Sequence, residues 1–218
     1  MYLNARARLL NKPLFSLLKV RVGEYDASGF NRPETVEHDE YTVVKILKHP
    51  SFSPKRLSGN IALLTLDRDV NLRKPTVNTV CLPTCDQQFD FRFNNGTGTR
   101  CWVAGWGKDK DNGSFQFIQH KVDVPLVERN NCSATLRQAL SRKTNRNSNF
   151  VLDESELCAG AEVGKDACTG DGGSPLVCQA QSGRWTVVGL VTWGVGCASD
   201  IPGVYTRISH FRDFINNN

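Results

Sequence analysis

Apolar residues in this chain come in short runs, alternating with polar ones and cut by Gly, Pro, Asn and Asp. Leu18–Tyr25 alternates and stops at Asp26-Ala27-Ser28-Gly29. Tyr41–Leu47 is rich in β-branched residues and closes at His49-Pro50. Ile61–Leu66 is an apolar run between Ser58-Gly59 and Asp67. Cys101–Trp106, Gln119–Val124, Trp185–Trp193 and Gly203–Ile208 follow the same pattern. Such segments predict β-strands, since successive side chains on a strand point to opposite faces. Two segments predict helix: Glu128–Leu140, and His210–Asn216, where Phe211, Phe214 and Ile215 share a face. Many short strands with Gly and Pro between them predict an all-β barrel or sandwich. Polar sequence across Cys81–Arg100 separates two strand-rich halves.

At 218 residues and 39% hydrophobic, the chain can bury the core of one large β domain or two small ones. Its formal net charge of +5 reads as mild and spread out, which favours solubility over nucleic-acid binding. The densest basic cluster, Arg137, Arg142, Lys143 and Arg146, sits among Asn and Ser. It reads as a solvated loop, with a docking patch for an acidic partner as the sharper alternative. No run of about 18 apolar residues occurs, so no membrane span is expected. The eight cysteines are widely spaced and lack paired CxxC motifs, which points to disulfides rather than zinc and hence to an oxidising compartment. Sequons at Asn95, Asn112 and Asn131 agree with a secreted glycoprotein. Met1–Leu18 is basic, and its uncharged stretch is too short for a signal-peptide core. Either a leader and upstream region lie outside this chain, as in an incomplete gene model, or the protein is not secreted; the first is the expectation.

The most informative stretch is Asp166-Ala167-Cys168-Thr169-Gly170-Asp171-Gly172-Gly173-Ser174-Pro175-Leu176-Val177-Cys178. It resembles the nucleophile loop of chymotrypsin/trypsin-like serine proteases. Further matches follow in that family's order. They are Val20-Arg21-Val22-Gly23-Glu24-Tyr25, Ile61-Ala62-Leu63-Leu64, Cys81-Leu82-Pro83, Ala104-Gly105-Trp106-Gly107, Leu157-Cys158-Ala159-Gly160, Thr192-Trp193-Gly194 and Pro202-Gly203-Val204-Tyr205. In particular the chain resembles the clip-domain serine protease homologues of arthropods, which share the GDGGSPLVC form and the long insert before Cys158. The resemblance implies an all-β fold of two six-stranded antiparallel β-barrels and a short C-terminal helix, with the first barrel incomplete here. Residues 1–17 are then an unmatched N-terminal segment. Residues 18–97 are a remnant of the first barrel with the interbarrel linker, and residues 98–218 the second barrel with the C-terminal helix. A sheet missing its neighbours should leave an exposed edge.

Peptide cleavage in that family needs a Ser, a His and an Asp acting together. The resemblance places Gly172 in the nucleophile's slot. Ser174 stands two residues on, in a slot the family fills with glycine. The base belongs to a segment upstream of the strand at Leu18–Tyr25, where Met1–Leu17 contains no His. His38, His49, His120 and His210 all come later and read as surface or turn residues. The orienting Asp is replaced by Asn60. In such a triad that exchange alone costs about four orders of magnitude in rate. The binding apparatus is better preserved. Asp166 matches the carboxylate at the floor of a pocket for Arg or Lys, Gly194 and Gly203 match its open walls, and Gly170 matches the oxyanion-hole donor. Asp171 matches the residue that pairs with the amino group freed on activation. No segment to supply that group is visible, so the pocket and hole are expected to be partly collapsed or mobile.

The resemblance also implies disulfides Cys101–Cys178, Cys132–Cys158 and Cys168–Cys197, leaving Cys81 and Cys85 either free or joined to each other. Glu24, Glu34, Glu37, Asp39 and Glu40 fall in a loop that binds calcium in some relatives. Here they read as a solvated acidic loop, and no metal or cofactor is expected. The implied function is that of an inactive homologue, secreted and extracellular. It would act as a binding cofactor or regulator on a protease, a zymogen or a prophenoloxidase-type target in an innate-immune cascade. The alternative is a trypsin-like endopeptidase cleaving after Arg or Lys.

Overall fold

The computed structural model describes residues 18–29, 37–84, 89 and 98–218. The segment Met1–Leu17, Glu34, Cys85 and the Asn95 sequon lie outside the described residues. Three strands, β1 (Lys19–Val22), β2 (Asp39–Lys48) and β3 (Ala62–Leu66), form one antiparallel sheet in the order β1-β2-β3. Six more close a barrel: β4 (Arg100–Gly105), β5 (His120–Val127), β6 (Glu156–Gly160), β7 (Pro175–Gln179), β8 (Trp185–Trp193) and β9 (Pro202–Arg207). Their order round the barrel is β4-β5-β6-β9-β8-β7, antiparallel throughout. Among the described residues, β1 and β3 each pair with β2 alone.

Alternation explains most of the barrel. Along β4, Cys101 and Val103 are buried, while Arg100 faces out and Trp102 and Ala104 are partly covered. With Val124, Leu126, Leu157, Leu176, Val188 and Tyr205 they form the barrel core. Each such side chain contributes roughly 1.5–3 kcal/mol of apolar burial. Two strands were not visible as alternation. All five residues of β6 are buried, including Glu156, so the strand has no polar face to mark it. β7 is only five residues long and opens with Pro175.

The helix predicted over Glu128–Leu140 is α1 (Arg129–Thr144). The Glu128 carboxylate caps it by accepting from the N–H groups of Asn130 and Asn131, at 2.8 and 3.0 Å. It runs one turn longer than expected and stops at Asn145, which is left-handed with φ 51°. Cys132, Leu136 and Ala139 are its buried face. Three disulfides lock the barrel: Cys101–Cys178 joins β4 to β7, Cys132–Cys158 joins α1 to β6, and Cys168–Cys197 joins two loops. Cys81 is free and exposed. The predicted tail helix is a 3-10 turn, Ile208–Phe211, followed by α2 (Arg212–Asn216). Ile208 and Phe211 pack with Val187 of β8 and with Ile61, so the tail holds the lead-in to β3 against the barrel.

Candidate functional site

The loop between β6 and β7 carries most of the residues singled out by sequence. Cys168–Cys197 ties it to the segment after β8. Behind it lies a cavity of about 280 Å³. Asp166, Gly170, Gly172, Gly194 and Gly203 all line this cavity, so one site gathers residues spread over nearly forty positions.

Asp166 accepts the Ala198 N–H at 3.1 Å through Oδ2, while its Oδ1 is buried without a partner. Burial pushes its carboxyl up to about 6, against the pull of the Ala198 and Ala167 N–H groups, and the charges of Asp111 and Asp171 add to the rise. The Tyr205 hydroxyl, also on the lining, is buried and unpartnered too, and burial raises its pKa. Among the described residues no Lys or Arg lines the cavity. An unpartnered carboxylate oxygen in a cavity without positive charge suits a cationic guest. At Gly203 an added Cβ would stand 3.2 Å from Asp166 Oδ1 and 3.4 Å from the Tyr205 ring. A side chain there would narrow access to the carboxylate. Trp193 forms part of the wall. Its Nε1 donates to buried Glu156 at 2.9 Å, and Phe150 meets its ring edge-on at 5.5 Å. Burial pushes the Glu156 carboxyl up.

Asp171 is buried and turned toward β4. Its Oδ1 accepts the Gly107 N–H at 2.8 Å and its Oδ2 accepts the Cys168 N–H at 3.0 Å. Side chains at Gly105 or Gly107 would collide with this carboxylate. From sequence the pocket is expected to be partly collapsed or mobile, for want of an amino group to pair with Asp171. In the structure two backbone N–H groups satisfy that carboxylate, and the loop borders the cavity of about 280 Å³.

Gly172 is exposed, and nothing lies within 4 Å of where its Cβ would be. There is room for a side chain, and none is present. Ser174 is 4% exposed. Its N–H donates to the Asp171 carbonyl at 2.8 Å and its carbonyl accepts from Val191, so it belongs to the packed base of the loop. Asn60 is half-buried, and its carbonyl accepts from Thr206 Oγ1 at 2.8 Å. Thr206 in turn shares a hydrogen bond with Thr192 of the cavity wall. None of the four histidines lines the cavity. His38 faces Glu24, His49 sits between Phe211 and Phe214, His210 lies beside Phe211, and His120 is exposed on β5.

Two functional neighbours were missed by sequence reasoning, Asp111 and Phe115. Both lie on the segment between β4 and β5. Asp111 lines the cavity mouth and accepts the Cys197 N–H at 3.1 Å. The Phe115 ring lies against Gly170, where an added Cβ would stand 2.7 Å from it; Gly170 itself has φ +104°. Lys-Asp-Lys-Asp in a turn looks like ordinary solvated loop, so no local signal marks either residue. The sequons at Asn112 and Asn131 are both exposed, the first next to Asp111 and the second on the first turn of α1. Three carboxylates of the expected acidic loop are ion-paired: Glu24 meets Arg21 and His38, Asp39 meets Lys74 at 2.6 Å, and Glu40 meets Lys19 and Arg21.

A sequence-family profile described as Trypsin matches residues 15–215. The chain is 47% identical over 204 residues to an "Inactive CLIP domain-containing serine protease A3" of Aedes aegypti, covering 92% of this chain and 40% of that protein. It is 40% identical to a "Phenoloxidase-activating factor 2" of Galleria mellonella, covering 92% and 63%. It is 34% identical to an "Inactive CLIP domain-containing serine protease A28" of Anopheles gambiae, covering 91% and 49%. The chain thus spans between two fifths and two thirds of the length of these relatives.

Proposed function

This chain belongs to the trypsin family, and from that premise we propose that it is a non-catalytic member that binds rather than cleaves. The observation that carries this reading is Gly172. It occupies the nucleophile's position, faces open space and has no side chain to attack with. Ser174 cannot replace it, being buried in the loop's base. Asn60 stands at the orienting acid's position, and no histidine lines the cleft. Relatives named inactive support the same conclusion. In this reading residues 18–97 are the remnant of a first barrel and residues 98–218 the second.

The role we propose is that of an extracellular cofactor or regulator in a proteolytic cascade of innate-immune type. Its partner is a protein: a protease, a zymogen or a prophenoloxidase-type target. The relative named as a phenoloxidase-activating factor supports that choice. The Asp166 cavity offers such a partner a seat for an Arg or Lys side chain. The endopeptidase alternative draws only on this preserved cavity, which binds a side chain without supplying a nucleophile.

The test is to follow activation of a clip-type zymogen mixture with and without the full-length protein, pretreated or not with a fluorophosphonate. The added protein should change the activation rate, and pretreatment should leave that change intact. Loss of the effect on pretreatment would show a working serine, and no effect at all would overturn the cofactor role.

A further inference from the structure

The charge of this chain is less evenly spread than its composition suggested. Between Glu128 and Asp153 there is no acidic residue, and there are five basic ones: Arg129, Arg137, Arg142, Lys143 and Arg146. They equal the entire formal charge of +5, leaving 22 basic residues against 22 acidic ones elsewhere. Arg129 is turned inward, donating to the carbonyls of Leu152, Asp153, Glu154 and Glu156. The other four are exposed on α1 and the turn that follows it. Among the described residues none of the four joins an ion pair, whereas Lys19, Arg21, Arg68, Lys74, Arg100 and Lys165 all do.

The helix dipole accounts for part of this arrangement. Cations in the last turn gain about 0.3–1 kcal/mol each, which covers Arg142 and Lys143. It does not cover Arg137, further back along the helix, or Arg146, beyond the left-handed Asn145. Beside them runs an open groove of about 730 Å³ whose lining includes Thr135, Arg137, Gln138, Ser141, Asn147 and Ser148. Arg137 Nε donates to the Phe150 carbonyl at 3.1 Å, which fixes its stem along the groove. Among the described residues the lining holds amides, hydroxyls and a cation, with no aromatic or large apolar side chain. A peptide anchored by a buried side chain would find no pocket here. A hydroxyl-bearing polyanion would find donors and acceptors in the groove and cations along its rim.

We propose that α1 and the turn after it bind a sulfated polysaccharide, with Arg137, Arg142, Lys143 and Arg146 meeting its sulfates. None of these residues lines the Asp166 cavity, so the site is independent of the reading above. The probe is heparin, tested on the whole chain against the triple substitution R142A/K143A/R146A. The wild type should be retained on immobilised heparin at low salt, and the variant should bind at least about tenfold more weakly at 0.1 M salt. Losing three cation–sulfate contacts should also flatten the plot of log affinity against log salt by about 2–3. The charge-preserving R142K/R146K should elute close to wild type. Unchanged circular dichroism would exclude misfolding of the variants. Identical elution of wild type and triple variant, or no retention of either, would overturn the proposal. Displacement by polyglutamate as effective as by heparin at equal charge would also overturn it, in favour of an acidic protein.

Discussion

Replacing Asp166 by Asn should stabilise the fold while removing its affinity for cations. The carboxyl moves from 3.8 to about 6 on folding, chiefly through burial. The folded state therefore holds a proton that the unfolded chain releases between those two pH values. Stability linked to Asp166 is fully present below about 3.8 and declines as pH rises through 6. At about 1.36 kcal/mol per pH unit the full penalty above pH 6 is about 3 kcal/mol. Solvent entering the open cavity reduces it, so a gain of about 1–3 kcal/mol is expected for Asp166→Asn at pH 7.5. The amide oxygen can still accept the Ala198 N–H, which the carboxylate now accepts at 3.1 Å. Below about pH 4 the two proteins should be equally stable. Denaturant melts at pH 4 and pH 7.5 check this directly. Benzamidine binding supplies the opposite readout. Wild type should bind about tenfold more weakly at pH 5 than at pH 7.5, since only about a tenth of the carboxyl is then ionised. The variant should bind weakly at both. Equal gains at the two pH values, or benzamidine affinity flat from pH 5 to 8, would refute the reasoning.

Restoring the serine and the aspartate without a histidine should not restore catalysis. Gly172→Ser with Asn60→Asp fits the open space at Gly172 but supplies no histidine, and loss of the base alone costs about a millionfold. No burst with an Arg-anilide substrate is expected, and a stoichiometric one would show that a histidine reaches the site. Substituting both cysteines of Cys132–Cys158 by Ala should lower stability by about 3–4 kcal/mol, because the bond closes a separation of 26 residues. Amide exchange should then quicken first in α1, which this bond pins to β6; uniform quickening across the barrel would count against that assignment.

Much of this protein was legible before any coordinates. Strands such as Trp185–Trp193 announce themselves because alternation is local, and the packed loop from Asp166 to Cys178 carries its constraints in consecutive residues. The absence of a side chain at Gly172 and of an acid at Asn60 is likewise a matter of residue identity, which no fold can alter. Tertiary structure decided the rest. Asp111 and Phe115 joined the site only when the segment after β4 was laid against Cys197, 86 positions from Asp111, and against Gly170, 55 positions from Phe115. β6 lacked a pattern because both of its faces are buried. The Asp171 carboxylate found its partner in the Gly107 N–H, a contact between residues 64 apart. Periodicity reports which face of an element is covered, but a cavity is made by segments distant in sequence, whose meeting is set by barrel closure.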